Sequence, residues 1–220
     1  MATDITPTEL FELNQQFEHA PASKILKWTF ETFGKDLILA CSFQDIVLVD
    51  LAVKIDPQVE VVFLDTEFHF PETLSFVEQV REAYDLNLTV TKPGADATEW
   101  VCGTDECCKH RKVGPLMEVV NTKAAWMTAL KRVDATTRTA APIVSIDATF
   151  GVVKVNPMAT WTDEDIAVYE QDHHLLTHPL MSQGYRSIGC APTTRPTAPG
   201  EDPRAGRWAG TGKVECGLHE

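Results

Sequence analysis

Long apolar runs are missing from this sequence. No stretch of its 220 residues approaches the roughly 20 consecutive apolar positions that a membrane-spanning helix needs. The opening, Met1-Ala2-Thr3-Asp4-Ile5-Thr6-Pro7, carries an acidic residue and neither the basic nor the apolar region of a secretory leader, so a cytoplasmic protein is expected. Basic side chains are scarce as well, 19 against 32 acidic ones. The formal net charge of -13 argues against nucleic acid or an anionic membrane as a bulk partner, because either would be repelled. A small anion is still admitted where the few cations converge. They cluster as Lys109, Arg111 and Lys112, as Lys131, Arg132 and Arg138, and as Arg195, Arg204, Arg207 and Lys213. Internal repeats and low-complexity segments are absent too.

What is present is enough for one core: a hydrophobic content of 44% over this length, with a trailing segment outside it. Six cysteines in a reducing compartment do not form a disulfide framework. Cys41 ends an apolar run and reads as core, and Cys102 is isolated. Cys107 and Cys108 adjoin, Cys190 follows a glycine, and Cys216 stands close to the C-terminus; these four invite a chemical explanation.

The chain alternates between two periods. Residues 1–30 read as helical, with Thr6-Pro7 as a start signal and Gly34 as a stop. Short apolar runs at 37–41, 59–64 and 88–91 suit buried strands, with helical stretches at 46–55 and from Pro71 to near Tyr84 between them. Runs at 124–130 and 143–146 extend the sheet, 152–155 forms a hairpin partner across Gly151, and Thr162 caps a helix with an acidic first turn. This pattern predicts an α/β fold, a mostly parallel twisted sheet flanked by helices with a ligand at the strands' carboxyl ends. Residues 1–183 are expected to form the α/β body, with a helical N-terminal segment. Residues 184–220, rich in Gly, Pro, Thr and Arg, form a loop-rich tail carrying function.

Three segments carry chemistry. The turn at 42–45, between a strand and a helix, offers backbone N–H groups to one phosphate, although Ser42 and Asp45 serve equally well as caps. It lacks the glycines that would wrap a polyphosphate. Cys107-Cys108-Lys109-His110-Arg111-Lys112 joins two thiols to a basic run, a metal or iron–sulfur signal as much as a solvated basic helix. In the tail, Arg204 and Arg207 supply paired donors for an oxyanion beside Cys216, whose thiolate they would favour.

Taken together, Leu64-Asp65-Thr66, Cys107-Cys108 with Lys112, Arg138 after Lys131-Arg132, Ser187-Ile188-Gly189, Thr194-Arg195-Pro196, Arg204 with Arg207-Trp208, and Glu215-Cys216-Gly217-Leu218-His219 resemble the family of adenylyl-sulfate and phosphoadenylyl-sulfate reductases. The motifs run in order over nearly the whole chain. The resemblance implies a fold like the adenine nucleotide α-hydrolases and a thiolate at Cys216 that attacks the sulfur of an activated sulfate. AMP or its 3′-phosphorylated form leaves, and thioredoxin then releases sulfite from the sulfonated cysteine. It places Ser42, Asp45, Leu64 and Asp65 about the nucleotide and Arg138 on the phosphosulfate. Lys112, Arg204 and Arg207 would offset sulfate charge in the transition state. His219 would orient or receive a proton, or simply anchor the terminus.

The chain departs from the family at one position. Cluster-bearing members pair Cys-Cys with Cys-x-x-Cys, and here Cys190 is followed at the second site by Thr193. A hydroxyl is a poor iron ligand, so either a 4Fe-4S cluster sits on Cys107, Cys108 and Cys190 with an open or substituted fourth site, or none assembles. His110, His173, His174 and His178 are candidate substitutes. In the family the cluster accompanies adenylyl sulfate as substrate, and its absence accompanies 3′-phosphoadenylyl sulfate. The three retained thiols and adjoining cations point to adenylyl sulfate. An iron–sulfur or thiol sensor that binds nucleotide without turning it over is the reading from another class. An ATP-dependent adenylating enzyme on the same fold is disfavoured, because it needs a glycine-rich loop at 42–45 and gives Cys216 no task.

Overall fold

The structure, a computed structural model, describes residues 5–218. Helix α1 (Pro7–Phe17) starts at a Thr6–Glu9 capping box, and α2 (Ala22–Phe33) stops at Gly34, whose φ of +52° no β-carbon opposes. The core then alternates β1 (Leu37–Ala40), α3 (Val47–Val53), β2 (Glu60–Leu64), α4 (Pro71–Tyr84) and β3 (Leu88–Thr91). After it come α5 (Asp105–Cys108), a π turn (Lys109–Val113), α6 (Gly114–Val120) and β4 (Ala125–Thr128). Strands β5 (Val144–Ile146) and β6 (Val153–Val155) precede α7 (Asp163–Asp172).

The six strands order as β3-β2-β1-β4-β6-β5, all pairs parallel except the β5–β6 hairpin. From β1 the chain runs outward to β3 and then returns to β1's other side as β4, so the connections diverge between β1 and β4. A crevice opens there at the carboxyl ends, the usual ligand position in such sheets.

The two-residue period divides the sheet's side chains between two layers. Leu37, Leu39, Val61, Phe63, Ala125, Met127, Val153 and Val155 join the larger cluster with α2, α3 and α4. Ile38, Val62 and Trp126 face the other way, covered by Leu116 and Val120 of α6 and by Phe150, with Leu218 of the tail packed alongside. The second face is thus closed partly by the chain's own C-terminal segment. Beyond residue 184 regular structure is slight: a 3₁₀ turn at Ala191–Thr193 and one antiparallel bridge, Thr194 to Arg207. Ile188, Cys190, Trp208 and Glu215 are nevertheless buried, so this segment packs on the body.

Candidate active site

The turns after β1 and β2 form one wall of the crevice. Ser42 is exposed at its rim, and Asp45 accepts the Val47 amide at 3.3 Å, fixing the start of α3. Burial raises the Asp45 carboxyl above its ordinary range, partly offset by the charge of Lys131 from the loop after β4. Asp65 accepts the Glu67 amide at 2.9 Å, and the Leu64 carbonyl lies 3.0 Å from His69 Nε2. Both aspartates are therefore engaged in shaping turns. Phe43, Glu67 and Trp208 hold left-handed φ values of +56°, +61° and +48° around this crevice and the tail. Such strain, about 1–3 kcal/mol for each residue, persists only where the surroundings over-determine it.

The tail brings Cys216 to the crevice by a set of non-local bonds. Gln44 Oε1 accepts the Ile188 amide at 2.8 Å. Arg138 grips Glu215 with two parallel bonds of 2.7 Å, and Lys154 of β6 donates to the Leu218 carbonyl at 3.1 Å. Cys216, half-buried, is thus pinned on both sides. Burial would raise the Glu215 carboxyl, but Arg138 and Arg204 outweigh it and hold its pKa low. Arg138, expected on the phosphosulfate, is committed here to Glu215 and acts on the position of Cys216.

Around Cys216 the expected cations do converge. Lys112, Arg138, Arg204, Arg207 and Lys154 all feel its sulfur electrostatically. Burial works to lower the Lys112 ammonium, yet the sulfurs of Cys216, Cys190 and Cys108 prevail and keep it above the ordinary lysine range. Burial and neighbouring Arg204 lower Arg207, which stays charged as any guanidinium does. Arg207 lies flat over Gly189 and donates to Ser187 Oγ at 3.3 Å and the Ile188 carbonyl at 3.1 Å. A β-carbon at 189 would fall 2.2 Å from its Nη2, so only glycine fits. Its Nε is buried with no partner among the described residues, a donor left for an acceptor from outside the chain. Arg204 donates to the Val214 carbonyl at 3.1 Å, and Arg204, Arg207 and Lys213 surround the Trp208 ring. His219 lies outside the described residues.

Cys107, Cys108, Cys190 and Thr193 line one cavity with Thr66, Lys112, Arg207 and Trp208. Cys190 meets Thr66 Oγ1 at 3.4 Å, and Lys213 donates to Cys108 at 3.3 Å while pairing with Asp105 at 2.8 Å. Burial raises the Cys108 thiol against the pull of Lys112 and Lys213. Cys190 is held below the ordinary thiol range by the neighbouring Cys102, with Lys112 and Thr66 assisting against burial. Cys102, which looked isolated in sequence, stands just outside this lining, its Sγ 4.0 Å from Thr193 Oγ1. Of the histidines, His178 bonds Thr73 and the Leu180 amide, His173 stacks on Tyr169 and His110 on Trp100. None of these, nor His174, lines the cavity. Cys41, as expected, is a packing thiol, raised to about 12 by burial.

Among the described residues no three His, Cys, Asp or Glu groups converge on one ion. Cys107, Cys108 and Cys190 share the lining of one cavity of about 10 Å³, and these thiols, one at each corner, are the ones that would hold a cluster.

A parallel sheet with a crevice at the β1–β4 divergence, a thiol carried over it by the tail, and cations gathered on that thiol define a nucleotide-binding protein built for sulfur chemistry on an anion. The fold is shared with a phosphoadenylyl-sulfate reductase from Candida auris solved as a phosphate complex, with a TM-score of 0.78 at 23% identity over 89% of this chain and 100% of that one. An NH3-dependent NAD synthetase from Campylobacter jejuni matches at a TM-score of 0.51, over 76% of this chain and 74% of that one at 9% identity. The model of the phosphoadenosine phosphosulfate reductase domain matches residues 36–196. The adenosine 5′-phosphosulfate reductase of Mycolicibacterium smegmatis is 42% identical over 99% of both chains, and that of Mycobacteroides abscessus 45% identical over 93% of this chain and 90% of its own. The chain belongs to the phosphoadenosine phosphosulfate reductase family and is a sulfonucleotide reductase.

Gln44, Thr66, Lys154 and Glu215 act through partners far along the chain. Gln44, Thr66 and Glu215 stand in segments quoted above but were given no role of their own, and Lys154 carried no motif signal.

Proposed function

We propose that the chain reduces adenylyl sulfate to sulfite and AMP in sulfate assimilation, in the cytoplasm, with thioredoxin as electron donor. The observation that carries this reading is Cys216, pinned between Glu215 and Leu218 among Lys112, Arg204 and Arg207. The names of the actinobacterial relatives support adenylyl sulfate as the substrate.

The nucleotide lies over the ends of β1 and β2, against Ser42, Asp45, Leu64 and Asp65. The Cys216 thiolate attacks the sulfate sulfur; a sulfur–sulfur bond forms as the bond to the AMP oxygen breaks, and AMP leaves with that electron pair. Lys112, Arg204 and Arg207, with the unpartnered Nε of Arg207, offset the charge on the sulfate oxygens as this happens. Lys154, beside the Leu218 carbonyl, and Arg138, through Glu215, keep the thiolate in line. A thioredoxin thiolate then attacks Cys216 Sγ and releases sulfite. Its second cysteine closes the thioredoxin disulfide and returns Cys216 as thiolate, so two thiols are oxidised as the sulfonate sulfur is reduced. Cys107, Cys108 and Cys190 would hold the cluster, whose charge would act on the cations beside the substrate.

The test is a single turnover without thioredoxin. Intact-mass analysis should find one SO₃ group added with adenylyl sulfate, mapped to Cys216 and absent in Cys216→Ser, which should still bind AMP. Thr193 favours a second reading, the same reaction on 3′-phosphoadenylyl sulfate without a cluster. A faster adduct with that substrate would establish it. Nucleotide binding with no adduct from either substrate would leave the sensor reading.

A further inference from the structure

The residues around Thr193 contain a sulfur that the family pattern does not use. Cys102 lies in the loop between the 3₁₀ turn Ala95–Glu99 and α5, with its Sγ 4.0 Å from Thr193 Oγ1. Cys190 stands on the same short turn as Thr193, whose amide donates to the Cys190 carbonyl at 3.1 Å. We propose that Cys102 supplies the fourth thiolate of an iron–sulfur cluster in this chain, in place of the cysteine missing at 193, completing the set Cys102, Cys107, Cys108 and Cys190. This rests on the reductase reading and deepens its cofactor.

Three further observations carry it. The backbone beside Cys102 is built against the turn that bears Thr193. Gly103 has φ +95°, and a β-carbon there would stand 2.8 Å from Thr193 Cγ2 and 3.4 Å from the Trp208 ring. No other residue allows so close an approach, and it sets the Cys102 loop directly against the turn that bears Thr193. Next, the same loop is joined rigidly to the paired cysteines. Thr104 Oγ1 donates to the Val101 carbonyl at 2.9 Å and accepts the Cys107 amide at 3.2 Å, capping α5. Cys102 and Cys107 are thus two ends of one short capped segment, a Cys-x-x-x-x-Cys spacing that also occurs in plant-type iron–sulfur proteins. Last, the rival donors fail: Thr193 offers a hydroxyl, a weak ligand for iron beside a thiolate, and His178, His173 and His110 are engaged elsewhere. Lys112 and Lys213, close to Cys190 and Cys108, would balance the negative charge of four thiolates.

Loss at 193 and gain at 102 form one exchange, and the test reads it as such. The full chain is purified anaerobically, with iron and acid-labile sulfide counted per chain and native mass recorded. It is compared with Cys102→Ser, Thr193→Cys and the double variant, and AMP binding checks that each is folded. The parent and Thr193→Cys should carry an intact cluster. Cys102→Ser should lose iron, entirely or by one atom from the open corner, and the double variant should recover it. Three results overturn the proposal: a parent without a cluster, full iron in Cys102→Ser, or loss in Cys102→Ser that Thr193→Cys does not restore. The Cys216 adduct distinguishes these from failure of the reductase reading. A bare parent that still takes up SO₃ removes the cluster alone, whereas a cluster-bearing parent without adduct removes the reductase and keeps the ligand set.

Discussion

At Gly189 a missing side chain does as much as any that is present. Arg207 is stacked on Trp208 at 4.6 Å on one side and rests on the bare 189 backbone on the other, which leaves its Nε inward and unpartnered. Gly189→Ala must expel the guanidinium without removing it. Loss of a preorganised donor to developing charge costs about 100-fold or more in rate. Gly189→Ala should therefore lower kcat by that order while AMP affinity changes little, as steady-state kinetics and titration would show; near-parent kcat would mean that Arg207 is not a donor in the reaction. Arg207→Lys should fare little better, because a point charge does not replace a planar fork.

Among the elements, the strands were the most legible. Runs such as 37–41 and 59–64 are short, apolar and bounded by turn residues, and they became β1 and β2 almost unchanged; 88–91 also forms a strand, β3, but at the sheet's edge, where it is partly exposed and not buried as expected. The hairpin across Gly151 and the caps at Thr6 and Thr162 were equally local. Segments whose form depends on distant partners were not legible. The π turn at Lys109–Val113 aims Arg111 at the Thr66 carbonyl, 2.8 Å away, and no periodicity announces it. Cys102 meets Thr193 across 91 positions, and Arg138 meets Glu215 across 77. The chemistry-bearing residues were thus readable from motifs, but the grip that positions them was not.

That grip can be broken at the same scale. Glu215→Ala leaves the buried Arg138 guanidinium without its two bonds, and breaking such a pair costs about 3–5 kcal/mol. The tail should undock locally before the sheet is affected. Alkylation of Cys216 should accelerate and sulfite formation fall at least tenfold, with AMP binding retained. Unchanged alkylation would show that Leu218 and Lys154 hold the tail alone.

The whole molecule should be destabilised by acid. Burial lowers the His178 pKa in the fold, and its Nδ1 accepts the Leu180 amide, a bond that protonation abolishes. The unfolded chain binds that proton more readily, so stability falls as pH drops below about 6.5. Asp50 ties Lys54, Tyr84 and Tyr169 together across α3, α4 and α7, and these partners outweigh burial to hold its carboxyl low. Its contribution, like that of Glu215, is complete above the ordinary carboxylate range and is lost as pH falls through the lowered folded values. Thermal melts should show a first decline below about pH 6.5, reduced in His178→Gln, and a steeper one below about pH 4.5. Melting temperatures flat down to pH 5 would contradict the assignment to His178.

No helix among the described residues is long and apolar enough to cross a membrane, and the chain carries a formal net charge of -13. Within that acidic envelope the C-terminal segment behaves as a leash of fixed length. With the Glu215–Arg138 and Leu218–Lys154 ties released, the knot of Lys213 with Asp105 and Cys108 still lets the thiol of residue 216 travel only about 10 Å along an extended chain. Untied as far back as the buried Trp208, it could travel nearly three times as far. A redox partner too bulky to enter the crevice therefore either meets the sulfonated cysteine at the rim or loosens the Lys213 knot, and the arc swept by Cys216 is set by which tether lets go.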